Sequence, residues 1–183
     1  SVGGICTVVG DQLRFYYIGF KGGDPSSYMH SNGATGMAIL RRDGFASMST
    51  TGEGSLTTRP VTFTGKYLFV NVDCPSGELK VEILDKNNKV IDDLSADKCK
   101  AVSIDSTIQQ IEWNGSSDLS SLVGQEVKFR FKLKNGDLYA FWVSPSTNGE
   151  SNGYVAGGGP GYISNKDTEG KKAYEQASGL QKF

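Results

Sequence analysis

Gln125-Glu126-Val127-Lys128-Phe129-Arg130-Phe131-Lys132-Leu133-Lys134-Asn135-Gly136-Asp137-Leu138-Tyr139-Ala140-Phe141-Trp142-Val143 is the stretch whose reading decides the fold. Val127, Phe129, Phe131 and Leu133 alternate with charged neighbours, the pattern of a half-buried strand. Asn135-Gly136 tolerates φ > 0, and residues 138 to 143 are β-branched and aromatic, so the sequence predicts a hairpin with a two-residue turn. Pairing Lys134 with Asp137 sets Leu133 opposite Leu138, Phe131 opposite Ala140 and Phe129 opposite Trp142 on the core face. Tyr139, Phe141 and Val143 then face the other way, across from Lys132, Arg130 and Lys128. Aromatic faces flanked by donors suit sugars and other amphipathic ligands, which makes Tyr139, Phe141, Arg130 and Lys132 candidate ligand-binding residues. Cross-strand pairs of this kind also serve simply to stabilise a sheet.

Composition agrees with an all-β chain. The 183 residues include 24 glycines, with abundant Ser, Thr and Asn, which favours short strands joined by turns within one domain. A net charge of −1 offers no electrostatic footprint for nucleic acid or an anionic membrane surface. No apolar run approaches the ~20 residues that span a bilayer, so neither nucleic acid nor membrane is an expected partner. The chain opens on Ser1 rather than Met, which reads as a processed or excised chain.

Three cysteines, Cys6, Cys74 and Cys99, permit one disulfide. Cys74 and Cys99 lie in one stretch between predicted strands and are the expected pair; closing a loop of about 25 residues would stabilise the fold by about 3 kcal/mol. The alternative is three unpaired thiols. Asn114-Gly115-Ser116 is a glycosylation sequon, usable only in a secreted chain.

Residues 4 to 20 read as an opening hairpin with its turn at Gly10-Asp11, and its Ile5, Val8, Val9, Leu13, Phe15 and Tyr17 are too apolar to be left uncovered. Residues 21 to 35 read as a loop holding the sole histidine, His30, with Asp24 and Tyr28 nearby in sequence. Short strands are expected at 36 to 40, 56 to 63, 67 to 72, 79 to 84, 90 to 91 and 107 to 113. Beyond Ile163 the chain turns polar and charged, which predicts a solvated or weakly helical tail.

Gly36-Met37-Ala38-Ile39-Leu40-Arg41-Arg42-Asp43-Gly44-Phe45 resembles the junction in secreted five-bladed propeller proteins of the glycoside hydrolase type, where the last propeller strand passes into a C-terminal β-sandwich. Leu56-Thr57-Thr58-Arg59-Pro60, Leu79-Lys80-Val81-Glu82-Ile83-Leu84-Asp85, Asp118-Leu119-Ser120-Ser121-Leu122-Val123-Gly124, Leu138-Tyr139-Ala140-Phe141-Trp142 and the closing Gly153 to Tyr162 are similar to that sandwich. The resemblance covers residues 1 to 163. It implies a secreted, extracellular chain. It also implies that the catalytic carboxylates of such enzymes, carried on earlier blades, lie outside this segment.

Other chemistry finds thin support. No nucleophile elbow accompanies His30. Gly157-Gly158-Gly159-Pro160-Gly161 precedes no helix and reads as a flexible closing loop rather than a phosphate cradle. Loop aspartates Asp24, Asp43, Asp73, Asp85, Asp92, Asp93, Asp97 and Asp105 leave a calcium site open, although none follows a calcium-loop spacing. No other cofactor is implied. Asp43 and Glu53 are the only acid pair to propose near the junction. Arg41, Arg42 and Arg59 offer bidentate contacts to a charged sugar, or pairing with local acids. Trp113 is the remaining candidate stacking residue, with burial in the core as its alternative.

The expectation is therefore an all-β protein. Residues 1 to 45 form a hairpin, loop and junction strand resembling the remnant of a propeller blade, residues 46 to 163 an antiparallel, jelly-roll-like sandwich, and residues 164 to 183 the polar tail. The expected function is that of a non-catalytic extracellular module, carbohydrate-binding or supporting, of a glycoside-hydrolase-like parent. Its alternatives are a self-associating matrix or interaction protein, or a fragment of a larger hydrolase. Residues 5 to 20 are expected to form either an extra layer of the sandwich core or an interface, with a second copy or with the parent propeller.

Overall fold

A computed structural model describes residues 3–23, 26 and 30–180. These residues form eight strands, β1 Thr7–Val9, β2 Gln12–Phe20, β3 Gly33–Arg41, β4 Met48–Thr57, β5 Tyr67–Asp73, β6 Glu78–Leu84, β7 Asp105–Gln110 and β8 Lys128–Ser144, followed by one short α-helix, α1 Lys171–Ala177. β1, β2 and β3 form a three-stranded antiparallel sheet in that order. The other strands form an all-β sandwich built on β8.

The largest departure from the sequence reading is β8 itself, which is one strand of 17 residues and not a hairpin. Its whole length runs antiparallel to the segment 67 to 84, pairing with β5 from Ser144 to Asp137 and with β6 from Lys134 to Lys128. β4 pairs along its other edge on both sides of Asn135-Gly136, with a register shift between Thr50 and Glu53. A type I′ turn requires φ > 0 at both central residues. Here Asn135 has φ 44°, whereas Gly136 is not in the left-handed region, so the dipeptide makes a corner and not a reversal.

The opposing chain bends at the same level. A Cβ on Gly77 would lie 1.8 Å from the Lys134 carbonyl oxygen, and one on Gly136 would lie 2.6 Å from both the Asp73 carbonyl oxygen and the Cys74 Cβ, so glycine is what permits this close approach. The bend folds the two halves of β8 over each other. Phe141 of the second half meets Phe131 and Phe129 of the first, with ring centroids 5.0 and 5.6 Å apart. A strand that changes sheet at a bulge is the corner device of orthogonal sandwiches. Leu68, Val70, Val72, Val81, Ile83, Phe129 and Phe131 close the core between the halves.

Other boundaries also move. The strand expected at 56 to 63 lies earlier, as β4, and leaves only a bridge from Val61 to Val127; β3 extends over nine residues. The expected polar tail is integral to the molecule. Asp167, Ala173 and Ala177 are buried, and α1 lies against Gly161 and the outer face of β5 and β7, where the Tyr174 hydroxyl meets that of Thr107 at 2.9 Å. The glycine run before it docks on β1: Val8 N–H donates to Gly158 O at 2.8 Å and Gly157 N–H to Cys6 O at 3.1 Å. It is held as an added edge there and is not a free closing loop.

Candidate functional site

The aromatic and cationic stripe does not assemble, because the hairpin that would present it is absent. Arg130 and Lys132 both grip Glu82, at 2.7 and 3.1 Å, and Arg130 also donates to the Thr57 hydroxyl. Phe141 turns inward onto Phe129 and Phe131, whereas Trp142, expected in the core, lies on the other face, stacked on Phe69 at 5.7 Å. Leu138 lies in the core as expected, but the bulge opposite Asn71/Val72 resets the parity of the strand beyond it, so a register counted from a two-residue turn assigns Phe141 and Trp142 to the wrong sides. Tyr139 lies beneath Arg41, whose guanidinium carbon is 4.7 Å from the ring centroid.

Arg41 and Arg42 sit where β3 leaves its sheet, and both turn toward the sandwich. Arg41 pairs with Asp105, donates to the Asn71 side chain at 2.7 Å and to the Val72 carbonyl at 3.0 Å. Arg42 is buried. It donates to Asp167 at 2.8 Å and to the Tyr162 hydroxyl, and it is flanked by the rings of Tyr162 and Tyr174. Burial opposes the charge on Arg42, but its electronegative neighbours hold it firmly protonated. The hydroxyl of Tyr162 is pushed upward, chiefly by burial. Both arginines thus tie the small sheet to the sandwich. Sequence reading missed Asp167 and Tyr174, because a carboxylate inside a polar tail looks like surface until its partner is placed.

Trp113 is buried and donates its indole N–H to the Val81 carbonyl at 3.0 Å, which makes it a core residue. Asn114 is exposed in the turn that follows. The Cys74–Cys99 disulfide does not form: all three thiols are free. Cys74 donates to the Val102 carbonyl, whereas the Cys99 sulfur accepts from the Val81 N–H, each at 3.3 Å, so the two side chains are engaged with different parts of the core. Burial pushes both thiols up, which keeps them protonated and unreactive at neutral pH.

Asp43 lies in the turn after β3, and Glu53 lies on the edge strand β4, 3.4 Å from Lys134. They belong to separate elements. Among the described residues, no three His, Cys, Asp or Glu side chains come together as a metal-binding group. His30 packs edge-on against Phe20; its expected neighbours Asp24 and Tyr28 lie outside the described residues.

The surface that stands out is the far half of the three-stranded sheet. Near the sandwich, Val8 and Leu13 pack with Val155, Phe15, Leu40 and Tyr162 in a second small core. Farther along, Tyr16, Ile18 and Phe20 of β2 share one face with Ile39 of β3, and each leaves about half of its surface exposed. No charged residue occurs from Phe15 to Phe20 or from Gly33 to Leu40. The sequence flagged this hairpin through its other face, that of Leu13, Phe15 and Tyr17; there Leu13 is buried and Phe15 partly so, whereas Tyr17, at the far end, stays exposed like the even-numbered residues. Comparison with known protein families, with curated proteins and with solved structures returns no match to this chain.

Proposed function

We propose that the chain is a non-catalytic β-sandwich module of a larger extracellular, glycoside-hydrolase-like protein, acting as a support that meets its neighbour through the β1–β3 sheet. The observation that carries this reading is the half-exposed apolar face of Tyr16, Ile18, Phe20 and Ile39, where Arg14, opposite Ile39, is itself buried. A contiguous apolar face of this kind marks an interaction surface. A neighbouring sheet of a propeller has the flat, apolar chemistry to cover it, and the junction sequence 36 to 45 supports that neighbour. Glu82, Asp105 and Asp167 are occupied in structural roles, the first with Arg130 and Lys132, the second with Arg41 and the third with Arg42.

A second copy of the chain is the competing occupant, favoured by the same apolar exposure and by the outer edge of β3, which pairs with no other strand among the described residues. Sedimentation velocity over a range of concentrations, together with binding of an apolar dye, separates the two. The support reading expects a monomer that binds the dye, with binding lost in Tyr16→Lys/Ile18→Lys. Concentration-dependent dimers abolished by that double variant transfer the surface to a second copy. Dye binding and mass both unchanged in the variant would remove the surface from either role.

A further inference from the structure

A separate cleft of about 260 Å3 opens where the small sheet, the turn after β3 and the loop 151 to 156 converge. We propose that it binds a neutral, polyhydroxylated ring, such as a single sugar unit of a glycan; the idea is independent of the docking face. Its floor is apolar, made by Val8, Leu13 and Val155. Its rim carries two aromatic side chains that the fold leaves in solvent, Phe45 at 74 % and Tyr154 at 75 % exposure. An aromatic ring left bare beside an apolar-floored cleft offers a stacking face for the C–H side of a sugar.

The polar wall selects the charge of the ligand. Arg42 and Asp43 stand side by side, with Nε and Oδ2 3.8 Å apart, too far for a hydrogen bond between them. The other guanidinium nitrogens of Arg42 are committed to Tyr162 and Asp167. A cationic ligand meets Arg42, and an anionic one meets Asp43. A vicinal diol satisfies both, accepting from the guanidinium and donating to the carboxylate; the Ser151 hydroxyl on the same wall already donates to Asp167 at 3.2 Å and accepts from the Gly153 N–H at 3.1 Å. Asp43, Asn152 and Ala156, with φ of 51°, 54° and 48°, hold left-handed backbone around the opening. Asp and Asn adopt this conformation readily in turns; at Ala156 it persists only because the surroundings impose it.

Cys6 lines this cleft and is half-buried, whereas Cys74 and Cys99 are buried in the core, so Cys6 reports on occupancy. The test is the rate of N-ethylmaleimide addition to Cys6 in the full chain. The methyl glycosides of glucose, galactose, mannose and fucose are the probes, with glucuronate and glucosamine as charged comparisons. At least one neutral glycoside should slow the reaction at millimolar concentration. Phe45→Ala, Tyr154→Ala and Asp43→Asn should each raise the half-protecting concentration about tenfold, with unchanged melting curves. Shifts of the Phe45 and Tyr154 ring protons in NMR titration provide a readout that does not depend on the thiol. The proposal is overturned if no neutral glycoside gives either protection or ring shifts, if protection survives both aromatic substitutions, or if a charged sugar protects better than every neutral one.

Discussion

Arg42 carries a full charge into a site where its side chain is 9 % exposed, against an Asp167 carboxylate that is 2 % exposed. Two charges taken out of water gain little over an apolar pair, but removing one of them strands the other, at a cost of about 3–5 kcal/mol. Arg42→Met and Asp167→Ala should each lower stability to urea by about that amount, and Arg42→Met/Asp167→Leu should recover a large part of it. A double variant as unstable as the sum of the singles would show that the pair is not the coupling unit. Glu82 tests the same physics in a more open place. Burial opposes its ionisation, yet hydrogen bonds and charge from Lys132 and Arg130 hold the carboxyl below its ordinary value. A group depressed in the folded state stabilises above its unfolded pKa of about 4.3, and that contribution is lost as pH falls through the folded value. Between about pH 6 and pH 3 the urea midpoint should therefore fall less for Glu82→Gln than for the wild type. Equal pH profiles would place the acid sensitivity elsewhere.

At the scale of elements the decisive feature is the corner shared by β8 and the β5–β6 segment. Gly77→Ala forces a methyl group against the Lys134 carbonyl oxygen, a backbone atom that cannot step aside. It should cost about 1–3 kcal/mol or more, whereas Gly52→Ala, with nothing near its Cβ, should be close to neutral. Matching denaturation midpoints for the two variants would mean that the corner is looser than the close approach implies. This corner also shows what the sequence could and could not disclose. β5, β6 and the β1–β2 hairpin were legible because their alternation is local and their turns are short. Asn135-Gly136 was legible only as a place where φ > 0 is tolerated; whether the chain reverses or bends there depends on β4 and on residues 67 to 84, which are far away in sequence. β4 escaped because Met48-Ser49-Thr50-Thr51-Gly52-Glu53-Gly54-Ser55 is an exposed edge strand with almost no apolar face to alternate. The candidate stripe failed with the hairpin that defined it. The rim aromatics Phe45 and Tyr154 lie in loops, where no period marks them out.

At the scale of the whole molecule, residues 151 to 177 fasten two β units that Arg41 also joins directly, through Asn71, Val72 and Asp105. The glycine run hydrogen-bonds to β1, Val155 and Tyr162 complete the small core, Asp167 holds Arg42, and Lys171 lies over the Phe69 ring at 5.3 Å. The Trp142 indole closes the same face by donating to Gly149 O at 3.0 Å. A chain truncated after Ile163 keeps every strand and loses Asp167 and α1. If the tail were a solvated appendage, its melting temperature would match that of the full chain. The buried contacts predict instead a fall of roughly 10 °C or more, since the stranded Arg42 charge alone costs about 3–5 kcal/mol. The origin of that loss is separable. In the full chain Arg42→Met is destabilising, but in the truncated chain the charge has already lost its partner, so the same substitution should be neutral or stabilising. If Arg42→Met destabilises both chains equally, Asp167 is not what compensates the arginine, and the C-terminal segment fastens the molecule through its other contacts.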